Sequence, residues 1–405
     1  MKALFAIRHN NDFDSVAPVV DGFVSLTPDH EALVYFASAA VKWQGDFRTR
    51  MLKRTGRVRF ADLWQVAGGN GGGTLRGLWH RNRADDRLQR KLLQLATELR
   101  VLPGFAANMN RLLDGYCPDI IAFDWYDVPA RRPMLEFFGY GEMLGWAQKH
   151  RRPLVSLPHG LLLYSQTGMG RLTFKTPYDA IYVESESKRK LIEGGASSVV
   201  VTGSPRYEPD WVNRVAVALE ADSAWPSEDP AKTRIVFFAT TAKNYYDFAK
   251  LLDWFSHLAG HPDVELVVQP HPRGQKDYEF ASIAGLKNVR IDSVTPASGL
   301  ITGADIASTL VSSVVVEAAV RGKEILFPKF LTTVTTQFDE AGACVSLDEM
   351  AETYPAIDAF RAGKRVPRRY YDAFLKQSVY GGGSPDTIGR ICHHMQQLAE
   401  DAANR

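Results

Sequence analysis

Two short runs in this chain could hold a phosphate. Val267-Val268-Gln269-Pro270-His271-Pro272-Arg273-Gly274 sets an imidazole and a guanidinium just past an apolar strand. Ser312-Ser313-Val314-Val315-Val316-Glu317-Ala318 opens a helix on two hydroxyls. Proline fixes φ and removes an amide donor, so Pro270 and Pro272 hold His271 at a strand tip and restrict pairing there. An imidazole in that place can donate a hydrogen bond to a phosphate, and Arg273 adds a fixed charge. Free amides at a helix start also attract anions, which suits Ser312 and Ser313, although simple capping is the plainer role for such serines. Glu317 lies one helical turn on, faces the same way and could accept from ribose hydroxyls. The turn Thr240-Thr241-Ala242-Lys243 is a further candidate for the same phosphates. Together these residues read as half of a nucleotide site.

The elements that must position them follow an alternating pattern of short apolar strands and amphipathic stretches, which predicts parallel α/β architecture. In the first half, strands are expected near residues 2–7, 31–37, 119–124, 153–157, 179–184 and 198–202, with helices near 13–22, 82–115, 134–150 and 186–194. Each strand runs into a polar or glycine-bearing turn: His9 to Asp12, Asp124 to Asp127, Pro158-His159-Gly160, and Glu184-Ser185-Glu186. Ligands bind beyond the carboxyl ends of such strands, so these turns should converge on one rim. The pattern restarts after a Pro/Ser/Asp/Glu stretch from Ala224 to Lys232 that reads as a linker. Strands then follow near 234–239, 264–269, 289–291, 305–309 and 324–327, and helices near 244–259, 277–284, 313–321, 368–378 and 385–403.

A strand-end His-Pro pair followed by a Ser-Ser-x-x-x-Glu helix start, in the second of two Rossmann-like halves, resembles the GT-B glycosyltransferases of bacterial surface polysaccharides. The nearest likeness is to capsule Kdo transferases, polysialyltransferases and CDP-glycerol glycerophosphotransferases. It is specific over about residues 265–330 and architectural elsewhere. The resemblance implies two Rossmann-like domains facing across a cleft. An acceptor domain over 1–205, a nucleotide-donor domain over 206–380 and a terminal helix over 381–405 that packs back on the first domain are expected. It further implies that His271, Ser312 and Ser313 hold the phosphate of a cytidine-linked donor, with Glu317 at the ribose. The expected reaction is inverting transfer of a sugar from a nucleotide-sugar donor, CMP-Kdo or another CMP-linked acidic sugar, onto a glycan or lipid-linked glycan acceptor. Three competitors remain: glycerol phosphate transfer from CDP-glycerol, UDP-sugar 2-epimerisation, and a non-enzymatic role in polysaccharide assembly or export.

An inverting transferase needs a base for the acceptor hydroxyl and donors for the departing phosphate. The base is expected from the first-half rim. His159 resembles the first-domain His-Gly of the glycerophosphotransferases; Asp124, Asp12 and Asp14 are the carboxylate alternatives. Asp12-Phe13-Asp14 also spells a D-x-D metal signature of another glycosyltransferase fold, but its place after the first strand predicts a helix cap, and no metal or other cofactor is expected. No Gly-x-Ser-x-Gly elbow, H-E-x-x-H helix or kinase signature is present. The stretch from Gly68 to Thr74 lacks the Lys-Ser/Thr ending of a P-loop and the order of a dinucleotide fingerprint, and is expected to be a loop.

Composition bounds the remaining possibilities. A chain of 405 residues exceeds one ordinary hydrophobic core, so two domains are expected. The longest apolar runs fall short of the roughly 20 residues that span a bilayer, and Met1 to Arg8 reads as a buried strand instead of a signal peptide. Cytoplasmic placement follows as the expectation. Cys117, Cys344 and Cys392 have no C-x-x-C spacing and read as small buried hydrophobes. The net charge of +2 hides an asymmetry, because residues 1–205 hold 27 Lys and Arg against 20 Asp and Glu. Solvated helix faces account for that most simply; the sharper reading is peripheral contact with the inner membrane or another anionic partner. Nucleic acid is not expected, since no helix-turn-helix, RRM or zinc-finger pattern accompanies the charge.

Overall fold

The structure is a computed structural model that describes residues 1–38, 41–68, 87–124, 138–161, 163, 172–194, 196–219, 225, 229, 231–240, 246–271 and 277–405. The chain forms two compact units. The first comprises Met1–Gly160, Gly170–Arg206 and Asp386–Arg405; the second comprises Leu161–Met169 and Tyr207–Pro385.

Among the described residues, the first unit is built on β1 (Lys2–Ile7), α1 (Asn10–Leu26), β2 (Glu31–Phe36), α2 (Phe47–Lys53), β3 (Val58–Asp62), α3 (Leu63–Val66) and α4 (Arg87–Tyr116). It continues through β4 (Ile120–Phe123), α5 (Tyr140–His150), β5 (Leu154–Ser156), β6 (Leu172–Thr173), β7 (Tyr178–Val183), α6 (Glu186–Arg189), β8 (Ile192–Glu193) and β9 (Ala196–Val201). Its main sheet is parallel in the order β3-β2-β1-β4-β5-β7-β9, so the chain winds one way from β1 and then the other. The central strands β1 and β4 are apolar on both faces because both faces are covered. Leu4 and Ala6 enter a core with Tyr35, Phe123 and Tyr140, while Phe5 turns to α1 and meets Phe23 edge-on at 5.9 Å.

In the second unit, α7 (Pro209–Ala218) precedes β10 (Thr233–Phe238), α8 (Phe248–Ala259), β11 (Val264–Gln269), β12 (Val289–Ile291), α9 (Ala297–Gly303), β13 (Ile306–Thr309) and α10 (Val315–Val320). Then come β14 (Glu324–Phe327), α11 (Gln337–Glu340), β15 (Val345–Ser346), α12 (Thr353–Arg361) and α13 (Arg368–Phe374). The sheet order β12-β11-β10-β13-β14-β15 is that of a doubly wound dinucleotide-binding sheet. Residue alternation along β10 splits the interior: Val236 and Phe238 pack on one face, Ile235 and Phe237 on the other.

The final helix, α14 (Thr387–Ala403), belongs to the first unit and lies against α1. Gly22 makes that approach possible, because a Cβ there would come within 2.1 Å of Ile388 Cγ2 and 3.3 Å of Cys392 Sγ. Arg390 reaches the carbonyl of Thr202, and Tyr182 Oη lies 2.9 Å from His394 Nδ1. Replacing Gly22 by leucine should therefore lever α14 away at a cost of about 1–3 kcal/mol, as overpacking does. Limited proteolysis of Gly22→Leu should release residues 386–405 before the rest of the chain; unchanged protection would show that the helix is held elsewhere.

Several elements depart from the sequence reading. The helix expected over 186–194 stops at Arg189, and Ile192–Glu193 pairs with Leu172–Thr173 instead. Strand β3 was not expected, because Arg57 and Arg59 break its apolar run; it is an edge strand, where exposed charge at Arg59 is tolerated. The segment 277–284 yields only a 3-10 turn, Asp277–Phe280. Cys344 and Cys392 are buried, but Cys117 is exposed, at φ 53° just past the end of α4. Its amide still closes the helix by donating to Leu113 at 2.7 Å, a helix-terminating place that a glycine or asparagine usually fills.

Candidate functional site

In the first unit the register fixes which side chains meet. Ala6, Phe123 and Ser156 lie level across β1, β4 and β5, so the next residues of each strand leave the sheet at one edge. Those residues are Arg8, Asp124 and the turn Leu157-Pro158-His159. The edge includes the point between β1 and β4 where the strand order reverses, the usual place for a ligand in such sheets.

There the side chains form one charged cluster. His159 Nδ1 sits 3.1 Å from Asp12 Oδ1, and Arg8 Nη2 is 3.5 Å from Asp12 Oδ2. Arg8 also reaches Asp124, with its amide donating to Oδ2 at 2.7 Å and Nε to Oδ1 at 3.3 Å. The hydroxyl of Tyr140 donates to Asp124 Oδ1 at 2.6 Å. Tyr140 is aimed by Gly139, whose φ of 86° and contact with Met109, where a Cβ would come within 2.4 Å, admit no side chain. Gly160, at φ 67°, makes the corresponding turn after His159.

The electrostatics of the cluster are unequal. Burial, and after it the neighbouring charge of Asp12, pushes the Asp124 carboxyl up to about 8. Burial also works against ionisation of Asp12, but the contact with His159 and the charge of Arg8 outweigh it and hold Asp12 below its ordinary value. Asp12 thus carries the charge, and His159 is turned towards it. Its side chain remains 27% exposed while that of Asp124 is 1% exposed, so of the two only the imidazole can meet a substrate.

The carboxylate alternatives therefore take other places. Asp124 is a buried brace for Arg8, not an accessible base. Asp14 faces Arg48 and, at 3.1 Å, Arg206, with Arg48 also held by Asp46. Asp12-Phe13-Asp14 does not cap α1, because His9 occupies that position and its carbonyl accepts the Asp12 amide at 3.1 Å. Both carboxylates of the D-x-D pair are engaged by cationic side chains, each with different partners. Among the described residues no group of three or more His, Cys, Asp or Glu is arranged to hold a metal. Asp12 was expected as a carboxylate alternative for the base and instead partners His159; Arg8 is the residue of the cluster that the sequence did not single out, and its spacing of four from Asp12 across a strand-to-helix turn was the available signal.

One further carboxylate on this edge deserves notice for its burial. Glu184 follows β7, is 3% exposed, and its Oε2 has no hydrogen-bond partner among the described residues. Burial, opposed by the charge of Lys188, pushes it up to about 7. The folded value lies above the ordinary one, so what Glu184 contributes to stability at acid pH is lost as pH rises through about 7. Glu184→Gln should flatten the fall in melting temperature between about pH 5 and about pH 8. An unchanged slope would assign that fall to other groups.

The second unit repeats the arrangement. Phe238, Gln269 and Thr309 lie level across β10, β11 and β13. Beyond them Thr240, His271 and Ser312-Ser313 emerge at one edge, again where the strand order reverses. Thr309 Oγ1 ties the central strands by donating to Phe238 O at 2.9 Å and accepting from the Ser312 amide at 3.2 Å. His271, Ser312 and Ser313 are half-buried, and Thr240 is buried. The serines do not cap α10, whose first turn follows Val314; Ser313 O accepts from Tyr207 Oη at 2.8 Å. Glu317 is 4% exposed and engaged by Arg321 at 2.6 Å and by Ser298 Oγ at 2.7 Å, so its carboxylate already has partners within the unit. Arg273, Thr241, the glycine-rich residues 69–74 and the turn residues 125–127 lie outside the described residues.

No protein-family model and no curated protein sequence matches this chain. Solved structures do. UDP-GlcNAc 2-epimerase from Neisseria meningitidis, bound to UDP-GlcNAc, is 13% identical with a TM-score of 0.56, covering 98% of this chain and 100% of its own. A putative UDP-N-acetylglucosamine 2-epimerase from Listeria monocytogenes is 11% identical with a TM-score of 0.57, covering 99% and 97%. The wall teichoic acid polymerase TagF is 11% identical with a TM-score of 0.54, covering 99% of this chain and 89% of that one. These neighbours are enzymes of the GT-B fold, and the likeness over nearly the whole chain gives this protein that fold.

Proposed function

We propose that this protein is a transferase that moves a group from a nucleotide-linked donor onto a hydroxyl acceptor in the synthesis of a cell-surface polysaccharide. The observation that carries this reading is the His159–Asp12 pair at the switch point of the first sheet. Asp12 orients the imidazole through Nδ1, which leaves Nε2 to take the proton of an acceptor hydroxyl. The acceptor oxygen then forms a bond to the transferred group as the bond to the nucleotide phosphate breaks, and the leaving phosphate keeps the electron pair. His271, Ser312 and Ser313 supply hydrogen bonds to that phosphate. Arg8, braced by Asp124 and Tyr140, keeps Asp12 ionised.

The donor follows from the resemblance in sequence: a CMP-linked acidic sugar such as CMP-Kdo, transferred with inversion to a glycan or glycolipid. The likeness to TagF favours a second reading, transfer from CDP-glycerol, and that to the 2-epimerases a third, on a UDP-sugar with no acceptor. Calorimetric titration with CMP, CDP and UDP, followed by assay of nucleotide release with and without glycan acceptor, separates them. Preferred binding of CMP and acceptor-dependent CMP release support the first. Preference for CDP moves the case to glycerol phosphate transfer, and UDP-dependent turnover without acceptor makes the protein an epimerase.

A further inference from the structure

The second unit holds a cavity of about 310 Å³ at the amino-terminal ends of β13, β14 and β15, away from the strand ends that carry His271 and Ser312. Its volume is at the small end of ligand sites. Ile306 and Leu326 of the sheet and Ile357 of α12 pack together, almost fully buried, as its floor, and Val345, Phe360 and Val366 complete its apolar lining. Such a surface offers a sugar or nucleotide almost no hydrogen bonds. The one acid in it, Glu324, is already engaged: it accepts from the Val366 amide at 3.2 Å and from Tyr371 Oη at 3.3 Å.

The mouth has the opposite character. The segment after Phe360 carries Arg361, Lys364, Arg365, Arg368 and Arg369, with no acid before Asp372. Arg361 is tied to Asp263 at 3.0 Å and Arg368 to Asp372 at 2.8 Å, which makes them structural. Lys364 and Arg365 are exposed and line the cavity. The Arg365 guanidinium carbon lies over the Phe360 ring, 3.5 Å from its centroid, with Nη1 donating to the carbonyls of Phe360 and Lys364, so the charge is fixed beside an apolar surface. Tyr370 is exposed close by in sequence, an aromatic of the type that settles at a lipid–water boundary.

We propose that this cavity is a lipid site: one acyl chain of an anionic phospholipid lies over its apolar floor, and its phosphate is met by Lys364 and Arg365. The apolar walls select the chain and the cationic rim selects the head. The site is separate from the nucleotide residues and stands whether or not they bind a donor.

The test is calorimetric titration of the full chain with lysophosphatidylglycerol below its micelle concentration, against lysophosphatidylcholine and glycerol 3-phosphate. Tighter binding of the anionic lipid, with none of the chainless phosphate, is expected. Lys364→Glu should weaken it about tenfold or more, since each basic side chain near an anionic lipid contributes roughly fivefold. Ala359→Trp, which fills the cavity, should abolish it without lowering the melting temperature. Equal affinity for the zwitterionic lipid, retained binding in a folded Ala359→Trp protein, or no binding at all overturns the proposal. If Ala359→Trp does not fold, an unchanged affinity in Lys364→Glu overturns it as well. Sedimentation with phosphatidylcholine vesicles, with and without phosphatidylglycerol, shows whether a bilayer supplies the lipid; retention only by the anionic vesicles supports that source, and none excludes it.

Discussion

Replacing His159 by alanine should lower kcat about a thousandfold while leaving nucleotide affinity within about twofold of wild type. A positioned general base contributes roughly 10²–10⁴ to a rate, and His159 is the exposed proton acceptor of its cluster. Asp12→Asn should reproduce part of that loss by removing the charge that orients the ring, about a hundredfold. Single-turnover measurement of nucleotide release in the presence of acceptor checks both. A His159→Ala enzyme that keeps wild-type kcat would remove the imidazole from the mechanism.

The second large effect belongs to the other unit. His271→Ala and the double change Ser312→Ala/Ser313→Ala should each weaken nucleotide binding by roughly 10- to 100-fold, which is what a lost hydrogen bond to a charged group costs. The loss should fall on phosphate recognition, so the affinity for the free nucleoside, which lacks the phosphate, should stay unchanged. Titration of cytidine beside CMP and CDP reads that difference. Equal weakening for nucleoside and nucleotide would assign these residues to folding. Glu317→Gln is the informative neighbour: with Arg321 and Ser298 already on its carboxylate, the change should cost stability as well as any ribose contact.

Much of this was readable before the fold. The central strands β1 and β10 carry the unbroken apolar runs Ala3 to Ile7 and Ile235 to Phe238, and a doubly covered parallel strand suits such a run beside amphipathic helices. His159, His271, Ser312 and Ser313 stand at strand ends, as their sequence neighbours announce. The assignment among candidate carboxylates was not readable, because Asp12, Asp14 and Asp124 differ only in which cation each one meets. Those cations are Arg8, Arg48 and Arg206; Arg8 stands four residues before Asp12, but register brings it to Asp124 and helix placement brings Arg48 and Arg206 to Asp14 from distant parts of the chain. Edge strand β3 and the short pair β6–β8 were hidden for a related reason: a strand covered on one side needs fewer apolar residues, so its pattern weakens. The lipid cavity left no periodic mark at all, since it lies where strand starts, α12 and a loop happen to leave space.

The placement of α14 has a consequence for the order in which the protein can be made. A ribosome delivers residues 1–206 long before 386–405, yet the face of α1 that carries Gly22 is covered by residues 386–405. Until they emerge, Val19, Gly22 and their neighbours face water, and the nascent first unit has an apolar flank open to chaperones or to other chains. Truncation before residue 386 should therefore be far more damaging than its distance from His159 and His271 suggests, and the damage should appear as aggregation during translation.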